Sequence, residues 1–382
     1  MTGKALTMLA VGDMILRMPD NAESYFALVA PMLKSGDVVV GQGAEIPFTA
    51  RGVSTFVKSS FGSRPTLACD PKNMSALPFA GFNVITLAGN HIWDAGVPGI
   101  EDTIIGLRNY GITFVGAGMN IDEARRPAII ERKGTRFGFL NYNCVGPKET
   151  WANPVKPGCA YVNIITHYDL EHPSPGGIPT IYTFAELSSL QEMTNDIHNL
   201  RPLCDVLVVA FHKGSALGLV LTGYKLPAYE HQVAYAAIDA GADLILAEHH
   251  HSLRGIEQYK GKIIFHGLGD FVKVIPSEDR PAWLVQEQEK MAGGREFGPK
   301  SGNLSAASEG DQTIIAKCTI DDRKISRVSY FPCLINKQRQ PEILKNDERG
   351  QQVFDYVDKI TRAAGLNTRY EWEGDEVVIH TE

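Results

Sequence analysis

Nowhere in the 382 residues is there an unbroken apolar run of the ~20 residues that a membrane-crossing helix requires. No membrane partner is therefore expected. Cysteine is sparse: Cys69, Cys144, Cys159, Cys204, Cys318 and Cys333 are scattered, and no two stand at the CxxC spacing of a zinc knuckle or redox site. Free thiols in a reducing compartment are the simplest reading, and disulfides are not expected. Blocks of basic residues are also missing, and the formal charge of −7 is spread along the chain, which argues against nucleic acid as a partner. Between Met1 and Leu16 there is no uninterrupted apolar core followed by a small-residue cleavage site, because Gly12 and Asp13 cut the run short. The cytoplasm is the expected address, with a small molecule as substrate and homo-oligomers allowed.

What is present is a chain with 44% hydrophobic residues, enough for a large core in one big domain or two modest ones. Short apolar runs that end at glycine or polar residues recur at 6–11, 38–40, 84–87, 113–115, 137–140, 206–211, 244–247 and 263–265, and they read as buried strands. Amphipathic helical segments lie between them at 22–34, 100–110, 184–200 and 229–240. Strands alternating with helices predict an α/β core over residues 1–275. Residues 51–71 and 146–179 are rich in Gly, Pro and Ser and are expected as long loops over a site. Residues 276–311 form a third polar excursion, and the strands and helix expected after it make 276–382 a β-rich completion of the same domain.

Chemistry collects where strands end. The first strand closes on Gly12-Asp13, placing a carboxylate at the mouth of an α/β sheet, where such folds bind ligands; alone, the pair also suits a turn cap. Glu45 follows the second strand as a lone acid in an apolar, glycine-rich setting, either a ligand or an exposed loop acid. Gly89-Asn90-His91 closes a third strand, and Asp94 lies one helical turn beyond His91. An amide oxygen can ligate a metal and an imidazole oriented by a carboxylate can move a proton, although Asn90 could instead cap the helix. Two later strands end in His212-Lys213-Gly214 and in Glu248-His249-His250-His251. In an extended segment His249 and His251 would share one side and His250 would face the other. Mixed His, Asp, Glu and Asn donors point to borderline divalent metals.

In this order the motifs resemble those of the CapA family of poly-γ-glutamate (capsule) biosynthesis proteins, within the calcineurin-like metallophosphoesterase superfamily. The likeness runs from Leu6 to Val272 and includes Gln232, the run from Ala237 into the histidines, and Gly267-Leu-Gly-Asp-Phe271. It implies a four-layer α/β/β/α sandwich with two divalent ions, Zn, Mn or Fe. It further implies Asp13, Glu45 and His251 on one metal, and Glu45, Asn90, His212 and His249 on the other, with Glu45 as the bridge. His91, supported by Asp94, matches the superfamily's general acid or transition-state stabiliser. A second histidine soon after the first aspartate is absent, and Met14, Ile15 and Arg17 occupy that neighbourhood.

The expected activity is hydrolysis of an amide or related acyl bond in a small soluble substrate by metal-activated water. Phosphoester hydrolysis is the alternative within the enzyme class, and an accessory or scaffold role in polymer synthesis is the alternative outside it. Trp151 and Tyr161, with Arg17, Lys58 and Lys213, are the expected substrate-binding side chains. Elemental analysis of protein purified without chelator should find up to two divalent ions per chain, with Zn, Mn or Fe favoured over Mg by the histidine share of the donor set. Replacing His249 or Glu45 by Ala should strip metal and activity together, and metal-free protein with full activity would overturn the expectation.

Overall fold

The apolar runs pair into two sheets, and the amphipathic segments cover their outer faces. The computed structural model describes residues 5–17, 21–43, 47–52, 67–169, 180–214, 224–274 and 309–380. Among them the strands in chain order are β1 (Leu6–Leu16), β2 (Val38–Gln42), β3 (Val84–Thr86), β4 (Thr113–Val115), β5 (Ala117–Gly118), β6 (Ala128–Arg132), β7 (Thr135–Asn143), β8 (Gly158–Cys159), β9 (Ile164–Asp169), β10 (Thr180–Ala185), β11 (Val206–His212), β12 (Leu244–Glu248), β13 (Ile256–Tyr259), β14 (Lys262–Phe265), β15 (Asp270–Val274), β16 (Gln312–Asp321), β17 (Lys324–Ile335), β18 (Pro341–Ile343), β19 (Arg369–Glu373) and β20 (Glu376–His380). One sheet runs β19-β20-β17-β16-β1-β2-β3-β4, with β15 also on β1 and β18 on β17; the other runs β13-β14-β12-β11-β7-β6. β1 to β4 are parallel, as are β7, β11, β12 and β14.

The period-2 alternation of strand side chains decides the layers. From β1, Met8 and Ala10 join Val38, Val40 and Val84 against Phe137, Phe139, Val208 and Leu246 of the other sheet, forming the core between sheets. Their neighbours Leu9 and Val11 face the opposite way, packing with Val39, Ile85, Leu77, Ile100 and Ile104 beneath the helices Ala76–Ala80 and Gly96–Asn109. On the second sheet Leu207, Val209, Phe211 and Ile245 pack against Met193, Ile197, Val233 and Ala237 of the helices Leu187–Leu200 and Ala228–Asp239. The result is an α/β/β/α sandwich. Two local expectations change. The helix expected over 22–34 is a 3₁₀ turn, Ala22–Phe26, and a short helix, Ala30–Leu33. The helix expected from 184 begins at Leu187, because Phe184 and Ala185 pair with Ile165 and Ile164 in a hairpin and Glu186 caps the amides of Ser188 and Ser189. That hairpin, β9 with β10, occupies part of what was expected as loop over 146–179. The segments expected as loops at 51–71 and 276–311 lie largely outside the described residues.

β1 changes partner in the middle. Leu6 to Ala10 pair with β16, whereas Asp13 to Leu16 pair with β15, and the register slips around Gly12. Only glycine suits this crossing, since a Cβ on Gly12 would run into the carbonyl of Gly269 and lie 2.7 Å from Glu248 Oε1.

Behind the end of β12 lies a buried polar network. Lys213 Nζ donates to Glu230 Oε2 at 2.6 Å and to His266 Nδ1 at 2.9 Å, and His266 Nε2 reaches Glu257 Oε2 at 2.8 Å. Glu257 also binds His231 and the Tyr235 hydroxyl, and Glu230 accepts from His250 Nε2 at 3.2 Å. Lys213 is wholly buried. The expectation of a substrate-binding lysine is corrected here: its ammonium is committed to Glu230 and His266 and has no surface to offer a ligand. Burial alone would push the Glu230 carboxyl up, but Lys213 and His250 hold it well below the ordinary range. His266 goes down to about 4 from 6.5, through burial first and the Lys213 charge second.

Because removing one partner of a buried ion pair leaves the other charge uncompensated, Lys213→Met should cost about 3–5 kcal/mol of unfolding free energy. The Lys213→Met, Glu230→Leu double variant should recover much of that loss in urea titrations. A near-neutral single variant would return Lys213 to the surface. The His266 shift also has a sign: the unfolded chain takes up a proton as pH falls through 6.5, while the folded chain waits until about 4. Stability should therefore fall with pH across that window, by up to about 1.4 kcal/mol per pH unit for one proton.

Candidate metal centre

The C-terminal ends of parallel strands from both sheets meet at one edge of the sandwich, and each delivers a polar side chain there. β3 exits through Ala88, whose amide donates to Asn141 Oδ1 of β7 at 2.6 Å, while Asn141 Nδ2 donates to Ala210 O of β11. This fully buried amide ties the two sheets together just before Asn90. Asn90 Oδ1 then stands 2.9 Å from His212 Nε2, and His212 Nε2 is 3.0 Å from His249 Nδ1. The three side chains are buried. Burial, then the neighbouring imidazoles His212, His251, His250 and His91, hold His249 well below the ordinary histidine value, so its ring is neutral and keeps a lone pair.

A second group adjoins the first. His251 Nδ1 is 2.8 Å from Asp270 Oδ1 and 3.7 Å from Asp13 Oδ2, and one donor atom from each of the three residues lies within 4.8 Å of the others. Asp13 Oδ2 also accepts the His249 amide at 3.3 Å, linking the groups. Burial pushes the Asp270 carboxyl up, and His251 and Lys273 outweigh it, so Asp270 stays ionised. Asp270 was not singled out from the sequence, although the Gly267-to-Phe271 motif contains it. Its trace in the sequence is the Gly269-Asp270 step inside that motif, and its place opposite Asp13 comes from the pairing of β15 with β1.

The histidine run is not extended. His249 (φ 103°) and His251 (φ 55°) both lie in the left-handed region, which costs about 1–3 kcal/mol per residue unless the surroundings hold it. Those two bends, and not strand alternation, turn both rings toward the centre and His250 away. His250 is anchored by Arg254 Nη2 on Nδ1 at 3.1 Å and by Glu230 on Nε2. His91 Nδ1 is 2.6 Å from Asp94 Oδ2, which also accepts the amide of Leu67. The Asp94 side chain is 3% exposed and that of His91 17%, so the carboxylate is fixed inside while part of the imidazole reaches the surface.

Trp151 and Tyr161 stack on each other with centroids 4.2 Å apart, and the Lys148 ammonium stands 5.5 Å above the indole. Arg17 Nε donates to Ala68 O at 3.3 Å. Glu45 and Lys58 lie outside the described residues. A third cluster with ligand-like spacing, His231, Glu257 and His266, is a different object. Lys213 donates to His266 Nδ1, so His266 Nε2 carries the proton that it gives to Glu257 and presents no lone pair to a cation.

Residues 7–274 match the family model described as bacterial capsule synthesis protein PGA_cap. The chain is similar to the capsule biosynthesis protein CapA of Bacillus anthracis, 27% identical over 274 residues, or 70% of this chain and 59% of that protein. It is also similar to a probable polyglutamine synthesis accessory protein of Mycobacterium tuberculosis, 31% identical over 206 residues, which cover 53% of this chain and 48% of that one. The match therefore spans about half the length of these curated relatives. Among solved structures, a novel phosphatase from Mycoplasma pneumoniae is similar with a TM-score of 0.47 and 15% identity, covering 92% of this chain and 98% of that one. With the family model extending from β1 to β15 and taking in every described side chain of the two donor groups, the chain belongs to the bacterial capsule synthesis protein PGA_cap family.

Proposed function

We propose that the chain is a metal-dependent hydrolase of an amide or related acyl bond in a small substrate. The observation that carries the proposal is the convergence of Asn90 Oδ1, His212 Nε2 and His249 Nδ1 beside the Asp13, His251 and Asp270 group, with the partly exposed His91 imidazole close to His249. The donors fit divalent cations. A neutral buried imidazole facing a second imidazole and an amide oxygen offers three electron pairs to one point, and the other group offers two carboxylates and an imidazole. When bound, such cations acidify water and polarise a carbonyl or phosphoryl oxygen.

The chain's own contribution to the chemistry is proton control. Asp94 accepts the Nδ1 proton of His91, which leaves Nε2 as the atom that exchanges a proton with the leaving group. The Leu67 amide holds the same Asp94 oxygen in place. Among the described residues, the ammonium groups of Lys213 and Lys273 are paired with the carboxylates of Glu230 and Asp270. Neither charge is left for a phosphate, which supports a neutral acyl group over a phosphoester. The relatives' names, capsule biosynthesis and polyglutamine synthesis accessory proteins, favour a second reading: an accessory role in polymer synthesis without turnover of its own.

A screen of manganese- or zinc-loaded protein on amides, lactones and phosphoesters separates the readings, and silence on all three would favour the accessory role. On an active substrate, His91→Ala should lower kcat by about 10² to 10⁴ with metal content unchanged, the usual scale for lost general acid–base assistance. Asp94→Asn should give a smaller loss of the same kind. The His91 defect should shrink as the leaving group improves. Loss of metal from His91→Ala would show instead that His91 is a ligand.

A further inference from the structure

Asn90 and His212 have to meet on one cation, yet they come from different sheets. Asn90 follows the exit of β3, in the sheet of β1, and His212 ends β11 in the other. The ladder of β3 stops short of this junction: its pairing with β2 and β4 runs to Thr86, Leu87 donates to Val115 O, and at Ala88 the chain leaves the sheet. Between the sheets lie Val84, Val115, Phe139 and Val208. Apolar contacts of that kind attract without a preferred direction. A hydrogen bond, which weakens steeply when misaligned, is the sharper constraint on where one sheet stands against the other.

The buried Asn141 supplies such bonds, and they fall at matching places. Its Oδ1 accepts from the Ala88 amide at 2.6 Å, and its Nδ2 donates to Ala210 O at 3.2 Å. Ala88 is two residues before Asn90, and Ala210 is two residues before His212. A backbone amide only donates and a carbonyl only accepts, so the side chain has one usable orientation. Ala210, the register partner of Asn141 in the β7 and β11 pair, thereby aims the amide oxygen at Ala88. The surroundings leave room for that oxygen. Gly116 has φ 94°, and a Cβ on it would run into Asn141 Oδ1 and stand 2.8 Å from the Ala88 nitrogen. The other donor group is aligned by different means, since Asp13 and Asp270 are register partners of β1 and β15, and His251 is bonded to Asp270.

We propose that Asn141 is a positioning residue of the metal centre. By tying together the strand ends that carry Asn90 and His212, it sets the affinity for the ion those two share with His249, and it leaves the ion of the Asp13, His251 and Asp270 group unaffected. The inference rests on the reading of both groups as metal sites, and it does not depend on which bond is hydrolysed.

The test is calorimetric titration of the chelator-treated full chain with Mn²⁺. Asn141→Leu, which keeps the volume and removes both hydrogen bonds, should weaken one binding step by about 10- to 100-fold, the usual cost of losing a partner that supports the ligands. The other step should change by less than about twofold, as for independent sites. Asp270→Ala should weaken that other step, and the double variant should weaken both. Asn141→Ser, whose hydroxyl is too short to reach both backbone groups, should repeat the result and replaces the Leu variant if the latter does not fold. Phe137→Leu, near the start of β7 and away from the centre, should lower the melting temperature with both steps unchanged. In crystals of the metal-free Asn141 variant, the 2.9 Å contact of Asn90 Oδ1 with His212 Nε2 should open beyond about 3.5 Å. Equal weakening of both steps, no weakening of either, the same selective loss in Phe137→Leu, or an unchanged Asn90 to His212 contact would each overturn the proposal. A wild-type chain that takes up no Mn²⁺ would sink the metal reading instead, and the contact in the metal-free crystals would then decide the role of Asn141.

Discussion

His250 lies between two residues whose backbones sit in the left-handed region, and both of its ring nitrogens are bound to charged partners, Arg254 and Glu230. Two such backbones cost about 2–6 kcal/mol together. Hydrogen bonds to charged groups contribute about 1.5–3 kcal/mol each, so the two bonds of His250 match that cost, and Glu230 in turn requires Lys213 to remain ionised while buried. The direction in which His249 and His251 face is thus set from behind, by side chains that do not touch the centre. The edge of the sandwich where the strands end is where this works, because there the ladder of backbone hydrogen bonds stops dictating which way a side chain points.

The two donor groups differ in charge, and the difference follows from which strands supply them. Asn90, His212 and His249 arrive from three strand ends and include no carboxylate, whereas Asp13 and Asp270 face each other across the parallel pair β1 and β15 and bring two carboxylates around one imidazole. On the proposed reading, the first group suits a cation of softer character and the second a harder one. Lys273, 3.0 Å from Asp270, already offsets part of the negative charge.

Much of this was legible in the sequence because strand ends leave a local signature: an apolar run that breaks off at a polar side chain, with glycine before it at Asp13 and Asn90 and without it at His212 and His249. The His91 and Asp94 pair was legible too, since its partners are one turn apart. Other features depend on pairings that no local pattern encodes. Asp270 matters because β15 lies against β1, and Lys213 follows His212 on a strand end yet turns into the core, where Glu230 and His266 wait on separate elements. The side-by-side placement of His249 and His251 was expected for a reason the backbone does not support, since left-handed bends produce what strand alternation was expected to produce. The β9–β10 hairpin escaped notice because its residues are largely exposed on both faces, so no burial period marks it.

The partner exchange in β1 has a consequence for register. β2 holds one edge of β1 from Met8 to Asp13, while the other edge is shared between β16, up to Ala10, and β15, from Asp13 onward. A slip of one residue in β1 would turn Asp13 to the other face of the sheet, and such a slip would have to break pairing with all three neighbours together. The place of Asp13 opposite Asp270 is thus fixed by three strands at once.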